Sequence, residues 1–95
     1  MTFDEFQRVI TDTYGEKDRR EGVRSAVAWL AEEVGEFAQA TRKGTPEQQL
    51  HELGDVLAWT FSIAAQLGLS CEEAIQRYAS GCPKCAATPC GCSPV

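Results

Sequence analysis

Residues 23–67 predict two long helices joined by a tight connection, in the sequence VRSAVAWLAEEVGEFAQATRKGTPEQQLHELGDVLAWTFSIAAQL. Gly44 follows two basic residues, which is typical of a helix C-terminus, and the threonine and proline after it are typical of a new N-terminus. We therefore expect helices over Val23–Lys43 and Pro46–Leu67, arranged as an antiparallel pair. Apolar residues in the first helix of this pair, which is the second helix of the chain, recur at a 4-3-4-3 spacing that is typical of a bundle: Val23, Val27, Leu30, Val34 and Phe37.

Shorter helices are predicted on either side of this pair. The sequence Thr2-Phe3-Asp4-Glu5 has the form of a capping box and begins a helix that we expect to end before Gly15. The charged residues 16–22 predict a loop, and a fourth helix begins near Ser70 and ends near residue 80. The sequence contains no strand pattern and no internal repeat. The predicted fold class is all-α, with four helices in a bundle.

The second half of the third predicted helix is apolar on nearly all sides. One stripe consists of four residues: Leu50, Leu53, Leu57 and Phe61. A different side carries three more: Val56, Trp59 and Ile63. Because such a helix must be buried on more than one face, and the chain is short, we expect oligomerisation to complete the bundle. A homodimer or a homotetramer would satisfy this requirement.

The composition is that of a single acidic globular domain. The chain has 95 residues, of which 43% are hydrophobic, and its formal net charge is −5. This charge argues against binding to a nucleic-acid backbone or to an anionic membrane. The longest apolar run, Val56–Leu67, is too short to span a bilayer, and the first residues lack the features of a secretion signal. We therefore expect a cytoplasmic protein with neither nucleic acid nor membrane as a partner.

Two pairs of carboxylates stand out on the long helices. Glu33 and Glu36 are three residues apart, as are Glu52 and Asp55, so each pair projects from one side of its helix. Antiparallel packing can bring the four together, where they would repel one another unless a cation lay among them. Acidic residues at this spacing also occur on solvated faces, but two pairs beside apolar stripes are a more demanding pattern. Oxygen ligands alone favour magnesium, or manganese, over zinc.

The combined pattern of EEVGE at residues 32–36 and ELGD at residues 52–55 resembles the MazG-type nucleotide pyrophosphohydrolases of the all-α NTP pyrophosphatase superfamily. The resemblance covers about residues 3–80. It implies magnesium-dependent cleavage of a nucleoside triphosphate between its α- and β-phosphates, giving a monophosphate and pyrophosphate, as in house-cleaning of the nucleotide pool. It also implies four magnesium ligands and a nearby residue, Glu32, that orients or activates the attacking water. The ligands would be Glu33, Glu36, Glu52 and Asp55.

Basic residues for the outer phosphates are few. Members of this family commonly place several around the fourth helix and its exit, whereas this chain has only Arg77 and Lys84 there. Lys43, at the end of the second helix, is a third candidate. Each of the three also fits an ordinary surface or helix-end charge. The sequence does not specify which base or sugar the substrate carries.

The C-terminal segment carries four of the five cysteines. A Cys-x-x-Cys is followed by a Cys-x-Cys, which offers four thiolates for a closed zinc site: Cys82, Cys85, Cys90 and Cys92. Two disulfides, or a redox role for the Cys-x-x-Cys, are alternatives. We therefore divide the chain into a helical domain at residues 1–80 and a Cys-rich tail at residues 81–95 that is a candidate zinc knuckle. The alternative to an enzyme is a non-catalytic helical interaction module with a zinc-binding tail.

Overall fold

The computed structural model of the protein describes residues 1–93, which contain four α-helices and no strand. Residues 94 and 95 of the predicted tail lie outside the described range. The predicted all-α class is confirmed. The elements in chain order are α1 (Phe3–Glu21), α2 (Val23–Lys43), α3 (Pro46–Gln66) and α4 (Cys71–Ile75), followed by a single 3-10 turn (Gln76–Tyr78).

The two central helices begin and end close to where the sequence predicts. α2 ends where the Gly44 N–H donates to the Ala40 carbonyl oxygen at 2.8 Å. α3 begins with a capping box, in which the Thr45 N–H donates to Gln48 Oε1 and the Gln48 N–H donates to Thr45 Oγ1. Because the connection is so short, α2 and α3 pack antiparallel, and their contact is the most extensive between any two helices of the described chain.

α1 is longer than predicted, so the predicted loop over residues 16–22 is wrong. The helix starts with the expected capping box of Thr2 and Glu5 but continues through Gly15 to Glu21. Most residues of the supposed loop are good helix formers. Asp18, in their middle, is only 6% exposed and accepts a hydrogen bond of 2.5 Å from Ser62 Oγ on α3. This contact holds the last turns of α1 against α3.

The chain leaves α1 at Gly22 and enters α2 at once. Gly22 has a φ of +92°, a conformation that glycine adopts far more readily than other residues. A single glycine therefore separates the two helices. This backbone conformation changes the direction of the chain, and it favours glycine because other residue types adopt it only with strain.

The fourth helix is shorter than predicted. It starts where Ser70 Oγ accepts the Glu73 N–H, and it gives way to the 3-10 turn after Ile75. The Gln7 side chain of α1 donates to the Leu69 carbonyl oxygen at 2.7 Å and accepts the Cys71 N–H at 3.0 Å. These two hydrogen bonds attach the start of α4 to α1.

The core lies between α1, α3 and α4. It consists of Ile10, Phe61 and Cys71, against which Phe6 packs. The ring of Phe61 makes edge-to-face contacts with Phe6 at 4.8 Å and with Phe3 at 5.3 Å between centroids. Aromatic pairs of this geometry add to the stability that burial provides. None of the helices in residues 1–93 is long and apolar enough to cross a membrane.

The apolar surface that remains uncovered is not the one that the sequence suggested. The three residues expected to need a partner, Val56, Trp59 and Ile63, are half-buried within the chain. Trp59 stacks on Trp29 of α2, with 6.1 Å between ring centroids and 9° between their planes. The stripe on the opposite side is exposed instead, apart from Phe61, which enters the core: Leu50 is 72%, Leu53 38% and Leu57 41% exposed. The side of Trp59 is covered by α2 through Trp29, whereas α1 contacts α3 at Phe61 and Ser62.

Replacing Ser62 by alanine should destabilise the protein. The substitution leaves the buried Asp18 carboxylate without its hydroxyl donor, which typically lowers the free energy of unfolding by about 1–3 kcal/mol. The measurement is urea denaturation followed by circular dichroism at neutral pH. Thr60→Ala is a matched control on the same helix, because Thr60 is exposed and its hydroxyl donates within α3, to the Val56 carbonyl oxygen. Equal unfolding midpoints for the two variants would contradict this account.

Candidate metal centre

Three carboxylates meet where α2 faces α3. Glu33 and Glu36 lie on one side of α2, Glu52 lies on α3, and each offers an oxygen within 4.8 Å of the others. Glu36 and Glu52 stand at equal sequence distances on either side of Gly44. An antiparallel pair of helices connected at that glycine therefore places them opposite one another.

Asp55 extends this cluster along α3. It forms a second group with Glu52 and His51, in which the three ligand atoms again lie within 4.8 Å of one another. His51 Nε2 is 3.4 Å from Asp55 Oδ2. Since Glu52 belongs to both groups, the four predicted magnesium ligands form one continuous cluster, which we call the carboxylate cluster: Glu33, Glu36, Glu52 and Asp55.

Two carboxylates of this cluster, Glu33 and Glu52, have raised pKa values. Burial, together with the negative charges of Glu36, Asp55 and Glu52, raises the pKa of Glu33 from 4.5 to about 7. Burial and the neighbouring Glu36 also raise the pKa of Glu52. Like charges held this close disfavour ionisation unless a cation offsets them.

Two oxygens of the cluster are buried without a partner. Glu33 Oε2 and Glu52 Oε2 accept no hydrogen bond from any of the described residues. A buried polar atom without a partner is unfavourable by an amount comparable to a lost hydrogen bond. Unpaired carboxylate oxygens, repelling one another and lying within a few ångströms, are the donor set that a hard divalent cation such as Mg²⁺ or Mn²⁺ prefers. The residues present therefore fit the metal that the resemblance implies.

The remaining predicted site residues are distributed differently. Glu32 is exposed on α2 and belongs to neither group of metal-ligating atoms. Lys43 lines a cavity of about 470 Å³ together with Glu36 and Glu52. Arg77 instead lies over the ring of Tyr78, 5.4 Å from its centroid, and Lys84 lies in the tail. Of the three candidate phosphate contacts, Lys43 is the one that lines a cavity of the carboxylate cluster.

A second cavity, of about 210 Å³, opens beside Asp55. Its walls combine the aromatic rings of Tyr14 and Trp59 with the charged groups of Lys17 and Asp18. Aromatic and apolar walls with a few polar groups are typical of sites for small ring-containing molecules. The carboxylate cluster thus lies between a cavity lined by Lys43 and a cavity lined by Tyr14 and Trp59.

Sequence reasoning missed three residues of this region. Lys17 and Asp18 were assigned to a loop, although the helix-forming composition of residues 16–21 was a signal that α1 continues. His51 was not assigned to the site. Its four-residue spacing from Asp55 was the available signal, since residues at that spacing meet on one face of a helix.

The comparison with protein families gives one match that covers more than half of the chain. The family described as the MazG nucleotide pyrophosphohydrolase domain matches residues 21–83. The matched segment contains the whole carboxylate cluster. No curated protein matches the chain significantly.

Magnesium should stabilise the protein, and Glu33→Gln should abolish that effect. A ligand that binds only the folded state at a hundredfold excess over its Kd adds about 2.7 kcal/mol to the free energy of unfolding. We expect Mg²⁺ to raise the thermal unfolding midpoint of the parent chain but not that of the variant. Without Mg²⁺, the variant should be more stable than the parent, because it removes one of the mutually repelling carboxylates.

The control for this experiment is Glu47→Gln. Glu47 is an exposed glutamate in the first turn of α3 and lies outside the carboxylate cluster, so its variant should keep the full magnesium shift. Thermal melts with and without MgCl₂ supply the measurement. A Glu33→Gln protein that Mg²⁺ stabilises as much as the parent would show that Glu33 is not a ligand.

Proposed function

The chain belongs to the MazG nucleotide pyrophosphohydrolase family, and from this membership we propose that it hydrolyses a nucleoside triphosphate to the monophosphate and pyrophosphate. The observation that carries the proposal is the carboxylate cluster, with two unpaired buried oxygens, between two cavities. Family membership supports a nucleotide pyrophosphohydrolase, which is a hydrolase. Cleavage between the α- and β-phosphates, the dependence on magnesium and a role in nucleotide-pool house-cleaning are our proposals.

The carboxylate cluster would hold magnesium, or manganese in its place. When bound, the ion would neutralise charge on the phosphate oxygens and polarise the bond to be broken. An acidic chain with few lysines otherwise repels a polyphosphate. The unpaired oxygens of Glu33 and Glu52 support this assignment, since both are buried at the interface of α2 and α3.

The two cavities suggest how a nucleotide lies across the site. We propose that the base enters the smaller cavity, whose walls include the aromatic side chains of Tyr14 and Trp59. The phosphate chain then passes over the carboxylate cluster towards Lys43 in the larger cavity. Lys43 would contact the outer phosphates, and Lys17, in the smaller cavity, lies on the side of the nucleoside. Arg77 and Lys84 have weaker support, since neither lines either cavity.

Glu32 is our candidate for the residue that activates water. It lies next to Glu33 on α2 but outside both groups of metal-ligating atoms, so its carboxylate stays free to accept a proton. As that proton moves to Glu32, the water oxygen forms a bond to the α-phosphorus. The bond between the α-phosphorus and the oxygen that bridges it to the β-phosphorus breaks, and pyrophosphate leaves.

The proposed domain division assigns this chemistry to residues 1–80. In the described part of the tail, residues 81–93, no residue belongs to the carboxylate cluster. Because the proposed substrate is a free nucleotide and the chain is acidic, we propose a cytoplasmic enzyme that acts without nucleic acid or a membrane.

Asp55→Asn should remove most of the activity without changing the fold. The carboxamide is nearly isosteric with the carboxylate but is a poor ligand for a hard cation, so we expect turnover to fall about 100-fold or more. The assay measures pyrophosphate released from a panel of NTPs and dNTPs, normal and damaged, in the presence of Mg²⁺. Circular dichroism checks that the helices remain.

Two further variants sharpen the test. Glu47→Gln should hydrolyse substrate at the parental rate, because Glu47 lies outside the carboxylate cluster. Glu32→Gln should lower kcat while keeping the magnesium-induced thermal shift, since Glu32 is proposed to act on water and not to bind the ion. Parental turnover by Asp55→Asn would exclude Asp55 as a ligand. No release of pyrophosphate by the parent from any nucleotide would favour the non-catalytic interaction module.

We also propose that the protein functions as a homodimer or homotetramer through the exposed side of α2 and α3. Val34 on α2 is 48% exposed, and the leucines of α3 on that side are exposed as well. Leu50 and Leu53 lie beside Phe37 around a shallow cavity. An apolar surface of this kind is typical of an interface. Association would cover it and leave the smaller cavity, on the side of α1, open to substrate.

Sedimentation at micromolar concentration should therefore give a mass of two chains or more. Leu50→Lys should shift the protein towards the monomer, because it places a charge on the most exposed leucine of the stripe. Leu69→Lys is the matched control: Leu69 is 58% exposed but lies after α3, beside α1 residues, and its replacement should leave the mass unchanged. A monomeric parent would contradict the proposal.

A further inference from the structure

The four cysteines of the tail form a second group of metal-ligating atoms, remote in sequence from the carboxylate cluster. The Sγ atoms of Cys82, Cys85, Cys90 and Cys92 all lie within 4.8 Å of one another, and none of them is in a disulfide. They come together in the irregular segment that follows the 3-10 turn. The proposed hydrolysis uses none of them.

One sulfur pair lies at the spacing expected of two thiolates that bind the same zinc ion. Cys82 Sγ and Cys92 Sγ are 3.7 Å apart. A zinc ion bound at about 2.3 Å by four thiolates places neighbouring sulfurs at about 3.8 Å. The observed distance is much longer than a covalent S–S bond of about 2.0 Å. The two cysteines at the ends of the motif are therefore held at ligand spacing.

Backbone groups hold the sulfurs in place. The Gly91 N–H donates to Cys85 Sγ and the Cys92 N–H donates to Cys90 Sγ, each at 3.3 Å. Such outer contacts are a regular part of metal sites, because they orient the ligands.

The turn around the first pair of cysteines is held by two backbone hydrogen bonds and contains two residues with positive φ. The Ala86 N–H donates to the Cys82 carbonyl oxygen at 2.7 Å, and the Cys82 N–H donates to the Ala87 carbonyl oxygen at 3.1 Å. Ala86 has a φ of +59°, which is uncommon for a residue other than glycine. At Gly81, where φ is +104°, a Cβ would lie only 2.9 Å from the Ala87 carbonyl oxygen. The backbone thus accepts an unfavourable conformation to bring these cysteines together.

We propose that Cys82, Cys85, Cys90 and Cys92 bind one zinc ion in a structural site that is independent of the carboxylate cluster. Four protein ligands complete the tetrahedron and leave no open position for water, which is the arrangement of structural and not catalytic zinc. Soft thiolates select zinc, whereas the carboxylates select a hard ion, so the two sites do not compete for one metal.

Zinc also explains how this segment keeps a defined shape. The tail has little apolar burial of its own, and among the described residues its backbone link to the helical body is the Gly81 N–H donating to the Tyr78 carbonyl oxygen. A segment this short and polar cannot build a core. Metal binding supplies the free energy that orders it, so folding of the tail and zinc binding are coupled.

Elemental analysis of the full chain tests the site directly. Protein purified under reducing conditions without a chelator should contain about one zinc per chain. The double variant Cys82→Ser, Cys85→Ser should lose the zinc and keep the helical circular dichroism of the body. Cys71→Ala should retain the zinc, because Cys71 is buried in the core and lies outside the group. Asp55→Asn, altered only in the carboxylate cluster, should retain it too.

Replacement of zinc by Co²⁺ adds a spectroscopic readout. Four thiolates around cobalt give the visible absorption of a tetrahedral cobalt–sulfur complex, and the double serine variant should lack it. Metal-free protein with four titratable tail thiols, two disulfides in the tail, iron in place of zinc, or zinc retained by the double variant would each overturn the proposal. Because the readout is bound zinc and not turnover, its failure is distinguishable from a failure of the proposed hydrolysis.

Discussion

The antiparallel contact between α2 and α3 is the constraint on which the rest of the structure depends. A connection of two residues fixes their register, and that register brings glutamates from both helices to the same level. The result is electrostatically unfavourable without a cation, since burial and like charge together raise the pKa of Glu33 to about 7. A bundle selected only for stability would place apolar or oppositely charged residues there. In the function that we propose, a divalent ion would offset this repulsion.

α1 lies outside the pair of α2 and α3 and contributes further residues to the region of the candidate site. It packs against α3 at Phe61 and Ser62 and contributes Tyr14 and Lys17 to the smaller cavity. Its position is fixed at one end by Gln7, which holds the chain at Leu69 and Cys71, and at the other end by Asp18. These polar contacts between distant parts of the sequence define the cavity as much as the apolar core does.

The sequence was most informative where the determinants are local. The capping boxes at Thr2 and Thr45 marked the starts of α1 and α3, and the three-residue spacing of the acidic pairs indicated the carboxylate cluster. It was least informative where a contact joins residues far apart in the chain. Asp18 and Ser62 are separated by 44 positions, so the sequence near Asp18 could indicate a longer helix by its composition but not the contact that holds this segment against α3. The side of α3 that carries Trp59 was mistaken for an exposed one for a similar reason, since its partner Trp29 lies 30 positions earlier, on α2.

The hydrogen bond between Asp18 and Ser62 also limits how this protein can evolve. Both residues line the smaller cavity, and both join α1 to α3. A substitution that reshapes the cavity at either position therefore also weakens the packing of the two helices. If the base enters this cavity, as we propose, ligand preference and thermodynamic stability are coupled at these two positions, and a change of preference there would require compensating substitutions elsewhere. Tyr14 and Lys17 line the same cavity and are exposed on α1. Substitutions at these two positions would change the cavity wall without removing the hydrogen bond between α1 and α3.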